Sequence, residues 1–318
     1  MRWDVHNHCA PREGLEALGD ERLPVAVDGD EIAADRVRFR LGPEFTEPEA
    51  KLAELERAGL EAAVLSLAPP LLCHEAPTEA AVPYCEAVNR GLATHCAAAP
   101  ERLRWLAHLP LPDGDAAAEA LRAAVAAGAV GAQVGTAIGT VALDDPALDP
   151  FWAAAAALGV PIMLHPAYNG DHPRLAEFYL QNVIGNQLET TIAAERLICA
   201  GHLERHPGLR LLLVHAGGYL PWQIGRLRHA RGVRPELTEA PAEPLDAFDR
   251  LTVDTITHDK TVLPMLVERM GPERVAMGTD LPFDMAPPAP AAELVEAVGE
   301  ELAATLVEET PRRLFDLG

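Results

Sequence analysis

The sequence predicts a (β/α)8 TIM barrel that forms one domain over residues 1–318. Three observations favour this fold class. The chain has 318 residues, of which 49% are hydrophobic, which suits one large barrel with a substantial core. Short apolar runs alternate with helical stretches along the whole chain, as expected for repeated βα units. No glycine-rich phosphate loop follows any of these runs, which argues against a doubly wound nucleotide-binding sheet.

Eight apolar runs are the predicted barrel strands, and a stretch of helical character follows each of them. In chain order the runs cover residues 2–6, 61–67, 103–109, 130–134, 160–165, 209–215, 251–255 and 274–278. The helix before the second strand has the clearest sequence signals. Thr46 and Glu49 match a T-x-x-E capping box at its start, and Gly59 marks its end.

Composition limits the partners and the compartment. The net charge of −22 opposes attraction to nucleic acid or to an anionic membrane surface, so neither is a predicted partner. A small anionic substrate is still compatible, because a few arginines in a cleft can set the local potential. The five cysteines are scattered, and the N-terminus carries no apolar signal segment, so we expect a cytoplasmic protein.

Residues 123–143 contain no charged side chain and match the length of a transmembrane helix. Their composition argues against that interpretation, because the run is mostly alanine and glycine. It predicts instead the end of a helix, a turn at Gly128 and a short strand at residues 130–134.

Two histidines, His6 and His8, follow one another at a spacing of two residues around the end of the first predicted strand. Residues two apart in an extended segment point the same way, so both imidazoles can face one ion. Taken alone, an H-x-H pattern is equally compatible with surface or structural histidines.

Three more polar residues stand where other predicted strands end: His165 closes the fifth strand, His215 closes the sixth, and Asp280 follows the eighth. In a closed barrel these strand ends converge on one face, where active sites are built. We therefore predict one divalent metal ion bound by His6, His8, His165 and Asp280. Imidazole and carboxylate ligands suit Zn²⁺, with Mn²⁺ as the alternative.

The sequence leaves two roles open for His215, a further metal ligand or an acid/base group. We favour the acid/base role, because a histidine beside a bound cation can stay neutral and accept a proton. Residues 216–218 (Ala-Gly-Gly) would let the backbone approach the site closely. Asp280 is the second predicted catalytic group. Among the other histidines, only His229 and His258 are considered as hydrogen-bond partners of the ligands.

Eight segments carry a resemblance to a known family. They are Asp4-Val5-His6-Asn7-His8, Met163-Leu164-His165-Pro166, Leu188-Glu189-Thr190-Thr191, Val214-His215-Ala216-Gly217-Gly218, Gly225-Arg226, Arg234-Pro235, His258-Asp259 and Gly278-Thr279-Asp280-Leu281-Pro282-Phe283. Together they resemble the amidohydrolase 2 family. Within it, they are most similar to the metal-dependent decarboxylases of 2-amino-3-carboxymuconate 6-semialdehyde and of aromatic acids. The likeness covers nearly the whole chain.

The resemblance implies a metal-dependent, non-oxidative carboxy-lyase that acts on a small unsaturated or aromatic carboxylic acid. It implies the same four metal ligands and an acid/base role for His215. It also implies that Arg226 and Arg234 bind the substrate carboxylate, and that Arg226 is lent by a neighbouring subunit, which makes a homodimer the expected assembly. Composition alone would assign both arginines to a solvated helix face.

The sequence departs from these decarboxylases at Ala167, where they have an aromatic residue after His-Pro. Their further arginine in the first long loop has no clean counterpart, and Arg40, with Arg38 as the other choice, is the predicted substrate-binding residue. Three long connections would leave the face on which specificity usually resides, namely residues 9–46, 167–186 and 231–249.

The sequence leaves two alternatives to decarboxylation, another reaction and a non-enzymatic role. The same site could hydrolyse an ester, lactone or amide, with His215 or Asp280 activating water, because fold and ligand set do not determine chemistry. A barrel that has lost its activity and only binds a ligand would be expected to lack a metal-binding residue, and none is missing from the sequence.

Overall fold

The computed structural model describes residues 1–34, 37–166, 173–237, 240 and 243–317; the departure at Ala167 lies outside these ranges. At its centre are eight parallel strands whose order around the sheet follows the chain. They are β1 (Trp3–Cys9), β2 (Ala62–Leu67), β3 (Leu103–Ala107), β4 (Gly131–Gly135), β5 (Pro161–His165), β6 (Arg210–Leu213), β7 (Leu251–Asp254) and β8 (Val275–Ala276). Each overlaps its predicted run, so the predicted (β/α)8 barrel is confirmed.

Hydrogen bonds between β1 and the segment at and after β8 close the ring. The amide of Val5 donates to the carbonyl oxygen of Met277 at 2.8 Å. The amide of Asp280 donates to the carbonyl oxygen of His6 at 2.9 Å. This backbone hydrogen bond holds Asp280 beside His6. The first strand and the segment after the last strand therefore meet at the C-terminal mouth of the barrel.

Over the stretch in which β1 and β2 are hydrogen-bonded to each other, β1 contains one residue more than β2. Asp4 pairs with Ala63 and Asn7 with Leu65, so three steps along β1 match two along β2. An extra residue of this kind is a β-bulge, which increases the local twist and redirects side chains. It lies at residues 5–6, immediately before the part of β1 that carries His8.

Fourteen α-helices occur in the described part of the chain. They are α1 (Arg12–Ala17), α2 (Pro43–Thr46), α3 (Pro48–Arg57), α4 (Thr78–Ala97), α5 (Gly114–Ala126), α6 (Asp149–Leu158), α7 (Gln187–Cys199), α8 (His202–Arg205), α9 (Leu220–Val233), α10 (Pro244–Phe248), α11 (Val262–Met270), α12 (Pro290–Val298), α13 (Glu300–Ala304) and α14 (Thr310–Phe315). The long connection after β1 is structured, because it contains a three-stranded antiparallel sheet of Val25–Asp28, Glu31–Ala34 and Val37–Arg40.

The predicted capping box before β2 is wrong. α3 begins at Pro48 with Glu47 as its N-cap, and no side chain caps it. Thr46 instead ends the preceding helix α2. Proline is favoured at the first helical position because its φ is already helical and it has no N–H to satisfy, so Pro48 sets the start. The predicted end is confirmed, since Gly59 follows the helix at φ 77°.

Apolar side chains fill the inside of the barrel and leave one open end. On β2 and β5 the inner cluster includes Val64 and Met163. Because side chains alternate along a strand, Ser66 and His165, two residues further on, share the inward face at the C-terminal end. A packed interior of this kind is a core rather than a pore, so the site can form only at the strand ends.

Residues 123–143 do not form one long apolar helix. α5 ends at Ala126, Gly128 turns the chain at φ 104°, and β4 begins at Gly131, as predicted. Among the residues that the structure describes, no helix has the length and hydropathy needed to cross a bilayer. The five cysteines are free thiols.

Candidate metal centre

Four histidine rings meet at the C-terminal mouth of the barrel. His6 and His8 lie on β1, His165 is the last residue of β5, and His215 follows β6. The centroids of the His6, His8 and His165 rings are 5.0–5.1 Å apart. The His215 ring lies 5.2 Å from His6 and 5.3 Å from His165. The strand-end pattern thus brings together residues that are up to about two hundred positions apart in the sequence.

The carboxylate of Asp280 lies among these rings. Its Oδ1 is 3.0 Å from His8 Nε2 and 3.4 Å from His6 Nε2. Its Oδ2 is 3.6 Å from His215 Nε2. The ligand atoms of His6, His165, His215 and Asp280 all lie within 4.8 Å of one another, and His8 joins them through Nε2, 3.1 Å from His6 Nε2.

Hydrogen bonds on the outer side of two rings determine which nitrogen faces inward. His165 Nδ1 donates to the carbonyl oxygen of Pro166 at 2.7 Å, because a carbonyl can only accept. His165 Nε2 is then a buried lone pair, and it has no hydrogen-bond partner among the residues described. His8 Nδ1 lies 3.0 Å from the hydroxyl of Ser66, so its Nε2 also faces the cluster.

The electrostatics of the cluster favour a cation. Burial lowers the pKa of His8 to about 4 and that of His165 well below its usual value, so both rings are neutral at pH 7. Burial also disfavours charge on His6, but hydrogen bonds to Asp254 and Asp280 outweigh it and raise the pKa of His6 to about 10. Two buried carboxylates therefore call for positive charge at this point.

A divalent metal ion fits this donor set. Neutral imidazole nitrogens and a carboxylate oxygen are the protein ligands of zinc-type ions, and an unpartnered buried lone pair costs free energy without one. His6, His8, His165 and Asp280 could hold the ion, and His215 is near enough to be a further ligand or to act beside it.

A buried carboxylate at the end of β7, Asp254, supports the cluster from behind. Its Oδ2 accepts hydrogen bonds from His6 Nδ1 at 2.7 Å and from the amide of His215 at 2.9 Å. Its Oδ1 accepts from the amides of Ala216 at 2.7 Å and Ile256 at 3.1 Å. Asp254 is not among the residues predicted from the sequence, although a charged residue that ends an apolar strand at the catalytic face is the available signal.

Asp254 also holds a strained turn. His215 and Ala216 have φ values of 53° and 57°, in the left-handed region that is costly for residues with a Cβ. The two hydrogen bonds from their amides to one carboxylate stabilise this turn. Burial alone would raise the pKa of Asp254, but the hydrogen bond and charge of His6 and these amides hold it below its usual value.

A second buried carboxylate, Asp4, ties β1 to the segment that carries Asp280. It accepts hydrogen bonds from the amide of His6 at 3.0 Å, from Asn7 Nδ2 at 2.9 Å and from Thr279 Oγ1 at 2.5 Å. Burial is the main influence on this group and raises the pKa of Asp4 to about 6. The segment that carries His6 therefore also contains the carboxylate that holds it against Thr279.

The two histidines considered as partners of the ligands do not take that role here. His229 and His258 are exposed, and within the described part of the chain neither hydrogen-bonds to a residue of the cluster. Asp254 and Ser66 make those contacts instead.

A cavity of about 740 Å³ opens above the cluster. His165, His215 and Asp280 form its floor, and both Arg38 and Arg40 line it from the small antiparallel sheet. Arg40 is ion-paired with Asp30 at 3.1 Å. Arg38 has no ion-pair partner among the residues described.

Arg226 and Arg234, the two arginines implied by the resemblance, do not belong to the described lining of this cavity. Arg226 is exposed on α9. Arg234 follows that helix and pairs with Glu236 at 2.6 Å.

A second group of possible ligands, Asp149, His202 and His206, also lies within 4.8 Å. The guanidinium of Arg205 is 3.1 Å from His202 Nε2 and 3.5 Å from Asp149 Oδ1. This group already contains a cation, so we assign no metal to it.

Replacing Asp254 should weaken metal binding. In Asp254→Asn one carboxylate oxygen becomes an NH2 group that meets N–H donors, so His6 and the His215 turn lose part of their support. We expect the metal dissociation constant to rise about 10- to 100-fold. Competition with a chromophoric chelator measures it. Asp259→Asn, an exposed carboxylate five residues on, is the matched control, and equal affinities for wild type and Asp254→Asn would contradict the assignment.

Comparison with known proteins identifies the family of the chain. The family model described as "Amidohydrolase" matches residues 3–317. The 2-amino-3-carboxymuconate-6-semialdehyde decarboxylase of Dictyostelium discoideum is 30% identical over 311 residues, which cover 94% of this chain and 86% of that protein. The gamma-resorcylate decarboxylase of Rhodococcus jostii (strain RHA1) is 33% identical over 260 residues, or 74% of this chain and 77% of that protein.

The solved structures agree on the fold. The crystal structure of 5-carboxyvanillate decarboxylase LigW from Sphingomonas paucimobilis superposes with a TM-score of 0.86 at 22% identity, covering 100% of this chain and 99% of that one. The resemblance drawn from the sequence motifs is thereby confirmed. Since the family model matches nearly the whole chain, this protein belongs to the amidohydrolase family.

Proposed function

We propose that this protein is a metal-dependent, non-oxidative decarboxylase of a small unsaturated or aromatic carboxylic acid. The observation that carries the proposal is that His215 lines one cavity together with Arg38 and with the cluster of histidines and Asp280 that could bind a metal ion. The two curated relatives described above are named as decarboxylases, which favours this reaction over hydrolysis of an ester, lactone or amide.

Decarboxylation breaks the bond between the carboxylate and the neighbouring carbon, and its electron pair stays on that carbon. The site must therefore hold the carboxylate and deliver a proton to the carbon as CO2 leaves. A divalent ion bound by His6, His8, His165 and Asp280 would supply Lewis acidity toward a substrate oxygen. We propose zinc from the imidazole-rich donor set, with manganese as the alternative that metal analysis would detect.

His215 is the proposed proton donor to carbon. Its ring lines the cavity, and its Nδ1 has no hydrogen-bond partner within the described residues. The backbone bonds to Asp254 fix the turn that presents it. Asp280, 3.6 Å from His215 Nε2, lies on the opposite side of the ring from that free nitrogen and can orient it.

CO2 release tests the reaction. Zinc-loaded protein is assayed with hydroxybenzoates and carboxymuconate semialdehydes, beside a chelated sample. We expect metal-dependent CO2 release that falls at least about 100-fold in His215→Ala, because proton transfer to carbon loses its donor. His258→Ala, an exposed histidine outside the cluster, is the control and should retain the rate. A product that gains water without CO2 release would contradict decarboxylation and support the hydrolase alternative.

Arg38 and Arg40 are the two candidates from this chain for binding the substrate carboxylate. We place Arg38 ahead of Arg40, because Arg40 already pairs with Asp30 whereas Arg38 has no such partner in the described ranges. A bidentate guanidinium–carboxylate pair would then fix the group that departs as CO2.

Comparing the two arginine variants tests this order. Arg38→Ala should raise KM at least about 10-fold, the effect of losing a charged hydrogen-bond donor, while Arg40→Ala should change it much less. Steady-state kinetics on the acid that releases CO2 gives both values. A larger effect of Arg40→Ala would reverse the assignment.

We further propose a homodimer in which Arg226 serves the neighbouring site, with Arg234 on the same surface. Arg226 is exposed and has no ion-pair partner among the described residues, and Trp222, one helical turn earlier on α9, is 45% exposed. The side chains of Tyr179, Val183 and Ile184 are 38–54% exposed, and Tyr179 also lines the cavity. The carbonyl oxygen of Ile184 accepts a hydrogen bond of 3.5 Å from the hydroxyl of Tyr219, the residue before α9. Grouped exposed apolar side chains of this kind mark interaction surfaces.

Mixing two inactive variants tests whether the site is shared. Arg226→Ala and His215→Ala homodimers should each be nearly inactive. After subunit exchange, half the dimers combine one subunit of each kind and contain one complete site, so activity should return to about a quarter of wild type in a two-fold symmetric dimer. Mixing His215→Ala with Asp280→Asn, both defective within one subunit's own site, should restore none. No recovery in the first mixture would contradict sharing of Arg226.

A further inference from the structure

One polar side chain in the cavity has no role in the mechanism above. Asn186 ends the π-helical turn Gln181–Asn186, directly before α7. Its side chain is 6% exposed and lines the cavity together with His165, His215 and Asp280. The amide oxygen Oδ1 has no hydrogen-bond partner in the part of the chain that the structure describes.

We propose that Asn186 accepts a hydrogen bond from a hydroxyl or amino group of the substrate and so selects acids that carry one. The inference rests on the proposed function only for the class of ligand, a carboxylic acid in this cavity. Buried polar atoms without partners are few in folded proteins, and each one calls for an explanation. A ligand donor would satisfy this oxygen.

The carbonyl oxygen of Asn186 is already engaged, whereas its side-chain oxygen is not, within the described ranges. Its carbonyl oxygen accepts a hydrogen bond from Thr190 Oγ1 at 3.1 Å, one turn along α7. The oxygen Oδ1 is an acceptor, so the group that it binds must donate. A hydroxyl or an amino group meets this requirement, whereas a methoxy group or a bare ring carbon does not.

A clamp fixes Asn186 relative to the turn that carries His215. The amide of Tyr219 donates to Thr191 Oγ1 at 2.8 Å, and that hydroxyl donates to the carbonyl oxygen of Gln187 at 2.7 Å. A Cβ at Gly218 would lie 2.4 Å from the same carbonyl oxygen, so only glycine permits this approach. The hydrogen bond from Tyr219 to Thr191 therefore joins the first turn of α7 to the segment that follows the His215 turn, and Gly218 allows the two backbones to pack closely.

Another part of the cavity lining is aromatic and favours a planar ligand. Phe39, Phe45 and Phe283 form a cluster with ring centroids 5.3–5.7 Å apart, and all three line the cavity. Phe283 also contacts the His8 ring, with centroids 5.4 Å apart. A cavity that is lined by this aromatic cluster and by the buried amide of Asn186 suits an unsaturated or aromatic acid with a hydrogen-bonding substituent.

The test compares benzoate with its 2-, 3- and 4-hydroxy derivatives as binding probes. Binding to zinc-loaded protein is measured by titration calorimetry in the His215→Ala background, so that no ligand is consumed. We expect one hydroxybenzoate to bind about 10-fold more tightly than benzoate, the usual size of a satisfied hydrogen bond to a buried acceptor. In Asn186→Leu this ratio should fall to about 2-fold or less, while the affinity for benzoate stays the same.

Three results would overturn the inference. They are an unchanged ratio in Asn186→Leu, equal weakening of both ligands, and no preference or no binding before the substitution. Asn182→Leu, one turn earlier in the same segment, is compared in parallel, and loss of the preference there instead of at Asn186 would also overturn it. Metal content and the far-UV circular dichroism spectrum report whether each variant is folded, and Asn186→Ala replaces Asn186→Leu if the leucine variant is not.

Failure of this inference is distinguishable from failure of the proposed function, because the binding titration involves no turnover. A lost preference together with an absence of CO2 release would support Asn186 while contradicting decarboxylation. CO2 release with a preference that is insensitive to Asn186 would do the reverse.

Discussion

The carboxylate of Asp254 is the group on which the arrangement of the site depends. It joins three strands, because it belongs to β7, holds the ring of His6 on β1 and binds the amides of the turn after β6. That turn has left-handed backbone angles at His215 and Ala216, which are unfavourable without such support. One buried negative charge thus orients both His6, a proposed metal ligand, and His215. The two histidines therefore cannot be positioned independently of each other.

Much of the site follows from the linear sequence because a closed barrel converts position along the chain into position in space. A residue that ends a strand must face the same mouth as every other residue that does so. This is why His165, His215 and Asp280 could be grouped with the first strand although they share no local motif. Their order in space needed only the strand count, which periodic apolar runs indicate well.

What the sequence did not predict depends on geometry that has no linear pattern. Asp254 ends a strand as His165 does, but only the left-handed turn beside it shows which groups it binds. The choice between Arg38 and Arg40 depends on ion pairing in the small antiparallel sheet, and the start of α3 depended on competition between Thr46 and Pro48. Asn186 lies in a π-helical turn, whose extra residue shifts the helical periodicity used to predict which side chains face inward.

The closure of the barrel has a consequence for assembly. His8 comes from the first strand and Asp280 from the segment after the last, so a cation bound between them would fasten together the two ends of the sheet. During synthesis this pocket cannot exist until Asp280 has left the ribosome. The affinity for the ion and the stability of the closed barrel are therefore linked thermodynamically. A packing defect along the junction between the first strand and the segment after the last one would be detected as a lower metal content of the purified protein.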